Sequence, residues 1–547
     1  MSSLPVAVIL PELLAALHHA PQVLLNAPTG AGKSTWLPLQ ILKDGNISGK
    51  IILLEPRRLA ARNVAQRLAE LLNEKPGETV GYRMRAETCV GPTTRLEVVT
   101  EGILTRMLQN DPELTGVGLV ILDEFHERSL QADLALALLL DVQQGLRDDL
   151  RLLIMSATLD NERLRLALPD APVISSEGRA FPVERRYQPL PSHQRLDEAV
   201  AIATAELLRQ EPGSLLLFLP GVGEIQRVQE QLSTRVGGDV LLCPLYGALS
   251  LQDQRKAILP APAGQRKVVL ATNIAETSLT IEGIRLVVDS TLERAARFDL
   301  RTGLTRLETL RISQASMTQR AGRAGRLEAG ICLHLTSKEL AERAPAQSEP
   351  EILNSALTHL LLELTQWGCR DITQLAWLDL PPAPAISAAQ HLLTSLGILD
   401  DARGLTSLGR RVASMGVEPR LGVILARAHS ADEQATAARL VAMIEEPPRN
   451  GDISLGALFD RRLPQWEKRS QQLCRRMGWR SGRADIRLAA GLLATAFADR
   501  IARRRGQGGR YLLANGMGAM VDQEHPLNRH EWILALSLLQ GNNSPDA

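Results

Sequence analysis

Residues 23–42, VLLNAPTGAGKSTWLPLQIL, constrain the fold more than any other stretch. A short apolar run breaks into a glycine-rich turn, and a helical pattern follows. Such a unit needs a parallel neighbour to bury its strand on both faces. The neighbours follow in order: IILLEPRRLAARNVAQRLAELL, LEVVTEGILTRML, VGLVILDEF and RLLIMSATL. Strand then helix, repeated, specifies a parallel sheet covered by helices on both faces. The pattern pauses near Gly178–Pro182 and restarts with SLLLFLPGVGEIQRVQEQL, DVLLCPLYGALSLQDQRKAI, RKVVLATNIAETSL and IRLVVDS. The chain therefore reads as α/β, with one domain over 1–180 and a second over 181–345. Only the first carries a Gly-Lys-Ser loop.

Past the second domain the text changes. LERAARFDLRTGLTRLETLRIS, between Thr291 and Ser313, alternates around a Thr-Gly turn and predicts a β-hairpin. Residues 346–415 form a small helical module whose short Gly-Leu-Thr pair suggests a winged helix. Residues 416–505 are expected to be mainly helical, including ADIRLAAGLLATAFADRIARRR, and 506–547 return to strand-like text in GRYLLANGMGAMV.

Composition excludes several classes. With 45% hydrophobic and 22% charged residues, the chain is an ordinary globular protein and not a disordered one. Cys89, Cys243, Cys332, Cys369 and Cys474 are scattered without a C-x-x-C pair, which argues against structural zinc or a disulfide framework and predicts a cytoplasmic protein. No run approaches the ~20 apolar residues of a membrane span, and the N-terminus lacks the basic region and cleavage site of a signal peptide. The net charge of +1 neither demands nor forbids a polyanion. Arginine clusters at 57–58, 461–462, 475–476 and 503–505 are suited to bidentate phosphate contacts, although solvated helix faces would look the same.

Three motifs carry chemistry. In APTGAGKST, residues 27–35, the turn Thr29–Gly32 would ring a phosphate with backbone N–H groups, flanked by Ala27, Pro28 and Thr35. Lys33 would reach the β- and γ-phosphates, and the Ser34 hydroxyl would ligate Mg²⁺. The usual leading glycine is replaced by Ala27. In LVILDEFHER, residues 119–128, a buried strand stops on two acids. Asp123 suits the metal side and Glu124 suits a base that orients the attacking water. Solvated acids at a strand end are the plainer reading, and the phosphate loop outweighs it. In QRAGRAGR, residues 319–326, closely spaced arginines on a small-residue backbone suit the charge that builds on a phosphoryl group. A nucleotide cleft between the two domains follows, with hydrolysis coupled to closure.

These motifs, with EPRRLAAR (55–62), TEGILTR (100–106), SAT (156–158), FLPG (218–221) and ATNIAETSLTIEGI (271–284), stand in the order found in superfamily 2 DEAH-box helicases, which the chain resembles across 25–326. The resemblance implies an ATP-dependent helicase with two tandem RecA-like domains, followed by a winged helix, a helical bundle and the start of an OB-fold region at Gly506. It implies ATP and Mg²⁺ as cofactors and a single nucleic-acid strand as partner, RNA before DNA, travelled 3′ to 5′ by a monomer, with room for a protein activator. Gln319, Arg323 and Arg326 would contact the γ-phosphate and water. Arg57, Arg58, Thr100, Asn273 and Thr277 would line the strand path. Ser156 and Thr158 would couple hydrolysis to domain movement, and His126 would relay nucleotide state toward Gln319.

The chain departs from the family at three places. Phe125 replaces the usual alanine and is expected to pack behind the acids. Ile258, before Pro260–Pro262, stands where relatives stack an aromatic on the base, which implies weak base discrimination. The segment after Arg505 is short for an OB-fold and the tail that usually follows. Two rival functions remain at this level: a nucleotide-dependent scaffold that remodels a complex without processive unwinding, and a P-loop small-molecule kinase. The arginine motif in a second domain argues against the kinase.

Overall fold

The computed structural model describes residues 4–28, 32–157, 162–178, 181–247, 249–276, 279–448, 453–540 and 545–546. The chain divides into two compact units. The first holds 1–295, 307–353 and 375–379, and the second holds 296–306, 354–374 and 380–547.

The first unit contains two parallel sheets in tandem. The strands of the first are β1 (Gln22–Asn26), β2 (Lys50–Leu54), β3 (Val80–Met84), β4 (Glu87–Cys89), β5 (Leu96–Val99), β6 (Val117–Leu122), β7 (Arg151–Ser156) and β8 (Val173–Ser175). They are ordered β4-β3-β5-β2-β6-β7-β1-β8, and only the β3–β4 pair in this sheet is antiparallel among the described residues. All six residues of β6 are buried, as a strand covered on both faces requires. Register decides what these strands can do. Leu54 pairs with Leu122, Leu122 with Ile154, and Asn26 with Ser156, so β2, β6, β7 and β1 end side by side. Glu55, Asp123, Ala157 and Ala27 therefore leave the sheet along one edge, the carboxyl edge where open α/β sheets hold ligands.

The helix after the phosphate loop begins at Leu37, not directly at the glycine turn. Gly32–Trp36 form turns, and Pro38 sits in the first helical turn, where its missing N–H costs nothing.

In the second sheet, β9 (Val183–Tyr187), β10 (Ser214–Phe218), β11 (Val240–Leu245), β12 (Arg266–Ala271), β13 (Ile284–Asp289) and β16 (Gly330–His334) are ordered β11-β12-β10-β13-β16-β9, all parallel. Between them, β14 (Leu292–Asp299) and β15 (Leu304–Arg311) form the hairpin expected around Thr302–Gly303. The arginine turn Arg323–Gly325 is pressed between this sheet and the strand edge. A Cβ on Gly330 would lie 2.1 Å from the Ala324 carbonyl oxygen and 2.6 Å from that of Arg285, so only glycine fits.

The second unit is mostly helical up to Ala496, then sheet. Helices Ala383–Ser395 and Ser407–Met415 flank a single antiparallel bridge, Leu399–Leu405. In the longer pair, Ala431–Glu445 and Pro464–Met477, Trp466 is buried and donates its indole N–H to the Glu446 carbonyl, so it packs and does not stack bases. The expected helix through 500–505 is corrected. It ends at Ala496, and Ile501–Arg504 is a strand, β17. Its alternation wins: Ala502 is fully buried between Leu513 and Ile533, while Arg503 points to solvent. With β18 (Arg510–Leu513), β19 (Gly518–Met520), β20 (Trp532–Leu534), β21 (Leu539–Gln540) and β22 (Pro545–Asp546) it forms a sheet ordered β20-β17-β18-β19-β22-β21. Leu304, at the hairpin tip, is buried with Ala502, Tyr511 and Leu513.

Two predictions follow from this packing. Gly330→Ala should destabilise the first unit by about 1–3 kcal/mol, as overpacking does, seen as an earlier urea transition. In the second unit, His359 sits between Glu363 (3.0 Å) and Glu418 (3.1 Å). Burial would lower its pKa, but the two carboxylates raise it to about 10. Because the folded value lies above the unfolded one, the stabilisation is complete below ~6.5 and is lost as pH rises toward 10. His359→Gln should therefore melt earlier than wild type at pH 6, by an amount worth about 1–2 kcal/mol, and at the same temperature above pH 10.

Candidate active site

The acids after β6 sit in a backbone that must turn sharply. Glu124 has φ 54° and Arg128 has φ 48°, both left-handed conformations that cost a non-glycine residue about 1 kcal/mol or more. Phe125 lies between them and is 2% exposed. Burying its ring is worth about 2 kcal/mol. The aromatic therefore anchors the strained loop, the packing role expected of it.

Lys33 is buried, and its Nζ donates to Asp123 Oδ1 at 2.9 Å and Glu124 Oε1 at 2.7 Å. Burial alone would strip its proton, but the two carboxylates hold the ammonium well above its ordinary pKa. The Asp123 Oδ2 atom is buried without a hydrogen-bond donor among the described residues. Adjoining it is Glu55, whose carboxyl is pushed well above its usual range by burial and then by Asp123. Two such carboxyls need a proton or a cation between them. Asp123 and Ser34 offer only hard oxygens, which suits Mg²⁺.

His126 Nδ1 accepts from the Ala157 N–H at 3.2 Å, and Nε2 lies 3.4 Å from Glu124 Oε2. Burial lowers its pKa, partly offset by Glu124, so it is a neutral imidazole with its proton on Nε2. His126 thus meets the turn after β7 through Nδ1 and lies near Glu124 through Nε2. Gln319 is half-buried on the helix Gln314–Gly322.

From the second sheet come Arg323 and Arg326. Arg323 is 4% exposed, and its Nε donates to the Glu276 carbonyl at 2.7 Å, yet Nη1 and Nη2 are buried with no acceptor among the described residues. Burial, and then the like charge of Arg326, pull its pKa down to about 9, with Glu124 and Glu276 opposing. Arg326 is half-buried, and burial lowers it too. A cavity of about 490 Å³ runs beside them, lined by Lys33, Ser34 and Thr35 from the first sheet and by Ile258, Leu259 and Arg326 from the second. Gly32 lines it as well, with φ +94°. Ala27 is buried, its N–H bonded to the Ser156 carbonyl at 2.9 Å, and Pro28 follows it. Ser156 is buried at the end of β7. Thr29, Gly30, Ala31, Thr158 and Thr277 lie outside the described residues.

Of the expected strand-path residues, Arg57 donates to Asn273 Oδ1 at 3.0 Å and lies 3.5 Å from Glu127, so a residue of each sheet meets there. Arg58 is exposed, and Thr100 stands at the N-cap position of the helix Glu101–Asn110 without a side-chain cap bond.

Sequence reasoning missed three residues. Arg320, fully buried, donates to Glu276 at 3.0 Å and Asp289 at 2.8 Å, and its guanidinium lies over Phe218. It joins the arginine helix to the ends of β12 and β13. It stood inside the quoted motif, but nothing there separates an inward arginine from an outward one. Lys267, buried in β12, donates to the carbonyls of Ala257 (2.8 Å) and Leu259 (2.5 Å), and burial lowers its pKa to about 8. It holds the Ile258 wall of the cavity. A lysine in the run RKVVLA was its one signal. The third is Arg128, one of whose partners, Asp379, lies 251 positions away.

Comparison with known proteins agrees with this arrangement. The DEAD/DEAH box helicase family matches residues 9–166, and the helicase conserved C-terminal domain matches 198–328. The ATP-dependent RNA helicase HrpB of Escherichia coli is 74% identical over 547 residues, covering 100% of this chain and 68% of that protein. The ATP-dependent RNA helicase HrpA homolog of Haemophilus influenzae is 38% identical over 434 residues, 77% of this chain and 33% of that protein. The crystal structure of E. coli DEAH/RHA helicase HrpB superposes with a TM-score of 0.96 at 73% identity, covering 98% of this chain and 69% of that one. A second, of the E. coli DExH-box NTPase HrpB, gives 0.91 at 73% identity, covering 100% and 68%. No helix among the described residues is long and apolar enough to cross a membrane. The two sheets are tandem RecA-like domains, and the chain belongs to the DEAD/DEAH box helicase family.

Proposed function

We propose that this chain is an ATP-dependent RNA helicase whose two RecA-like domains close on a nucleotide and draw a single strand 3′ to 5′. The observation that carries this is Arg323, a buried guanidinium with two unfilled donors within electrostatic reach of Glu124. A buried arginine without acceptors is costly unless an anion completes it, and a γ-phosphate supplies that anion.

The residues then take these roles. Thr29–Gly32, with Ala27, Pro28 and Thr35, cradle the phosphates, whose oxygens compete with Asp123 and Glu124 for Lys33. Ser34 and Asp123 would hold Mg²⁺, which would supply charge neutralisation to the phosphates. Glu124, freed from Lys33, accepts a proton from the attacking water, and His126 fixes its second oxygen. Gln319 orients that water, while Arg323 and Arg326 meet the charge developing on the γ-phosphoryl oxygens. Ser156, next to the Ala157 whose N–H bonds His126, and Thr158 pass the change on to the second domain. Arg57, Arg58, Thr100, Asn273 and Thr277 line the strand, and the Arg57–Asn273 bond supports a path shared by both domains.

Ile258 supports a base pocket that reads shape loosely. An aliphatic wall offers no hydrogen-bond pattern, so other nucleoside triphosphates should serve. The bridge and helices of 346–415 support a winged helix, those of 416–496 a helical bundle, and the sheet from Ile501 an OB-fold-like region that starts before Gly506. Five free thiols support a cytoplasmic location, and we read the protein as a monomer, open to a protein activator.

The test is ATP turnover with matched RNA and DNA oligomers. Wild type should be stimulated by RNA more than by DNA, and indifference to every polynucleotide would instead favour a scaffold. Glu124→Gln should bind ATP yet turn over about 10²–10⁴-fold more slowly, and near-normal turnover would refute its role. Arg323→Ala should cost about 10²–10³-fold in kcat, with nucleotide affinity little changed.

A further inference from the structure

The strained loop that presents Glu124 is closed from far away in the sequence. At its end, Arg128 binds Asp133 with Nε at 2.9 Å and Nη2 at 2.7 Å, and the same Nη2 donates to Asp379 Oδ2 at 2.7 Å. Asp379 is buried, and its other oxygen accepts from Arg163. Arg163 lies on the helix Glu162–Ala167, the first element after the Ser156–Ala157 turn. A second contact supports the first: the Glu351 N–H donates to the Arg128 carbonyl at 3.1 Å, and its carboxylate accepts from the Leu130 N–H at 3.2 Å.

The loops after β6 and β7 are thus joined twice. The inner link is His126 to Ala157. The outer one is Arg128–Asp379–Arg163, supplied by a segment beyond both RecA-like domains in the sequence. Asp133 alone could neutralise Arg128, and Arg163 is largely exposed to water, so charge balance does not by itself require the buried Asp379. What Asp379 adds is a fixed distance between the acid-bearing loop and the helix after the coupling turn. We propose that Asp379 is a positioning residue for ATP hydrolysis: it sets the Glu124 loop against the Ser156 turn and makes turnover depend on the segment that leads into helix Ala383–Ser395. It touches neither nucleotide nor water in this role.

This rests on the helicase reading, and the test separates the two. RNA-stimulated ATP turnover, ATP KM and melting temperature are measured for wild type, Asp379→Asn, Asp379→Ala, Arg163→Ala and the double variant D379A/R163A. The expected result is a kcat about tenfold lower in both Asp379 variants, since small misplacements of reacting groups are costly, with ATP KM within about twofold. Arg163→Ala should lose about two- to threefold, and the double variant should match Asp379→Ala. Asp379→Asn keeps the shape of the side chain and decides the matter if Asp379→Ala melts early. A kcat within about twofold of wild type in Asp379→Asn overturns the inference, as does a loss carried by KM alone. A wild type without turnover overturns the helicase reading itself.

Discussion

Lys33 is an ammonium out of water between two carboxylates out of water, and the rest of the site is arranged around that fact. Burying such charges is costly by several kcal/mol per ion and is tolerated only when each is paired at good geometry. Pairing here requires that the loop after β1 and the loop after β6 end at the same height, which the parallel register across β6, β7 and β1 provides. The ammonium is therefore the group that keeps Asp123 and Glu124 together.

The second domain repeats the solution with different residues. Arg320 lies between Glu276 and Asp289, fully buried, and Asp289 is shared with His334 at 2.7 Å. Burial alone would raise the Asp289 carboxyl, but Arg320 and His334 hold it below its usual range. This satisfied arginine fixes the helix on which the unsatisfied one, Arg323, is carried. One is structural because its acids are present. The other has donors to spare because, among the described residues, the acids that act on it are Glu124 of the opposite loop and Glu276, already engaged by Arg320.

Much of this was legible in the sequence, for specific reasons. Parallel strands buried on both faces have to be apolar throughout, so VLLN, IILL and VGLVIL announce themselves. Chemistry at the carboxyl edge has to follow such runs directly, so Lys33, Asp123 and Glu124 could be named. Where patterns compete, the reading failed. IARRR continues a helical run when read by periodicity from Ala489, yet it alternates once Leu513 and Ile533 are known to face Ala502.

The sequence by itself determined the two α/β domains and the sets of charged residues at their strand ends, because local spacing and apolar patterning encode them. The tertiary structure alone decided which arginine is satisfied by buried acids and which keeps free donors, which carboxyl adjoins Asp123, and that Asp379 bonds the loop after β6. The reason is physical: burial and partner geometry are properties of contacts between residues as much as 251 positions apart, and no periodicity in the chain records them.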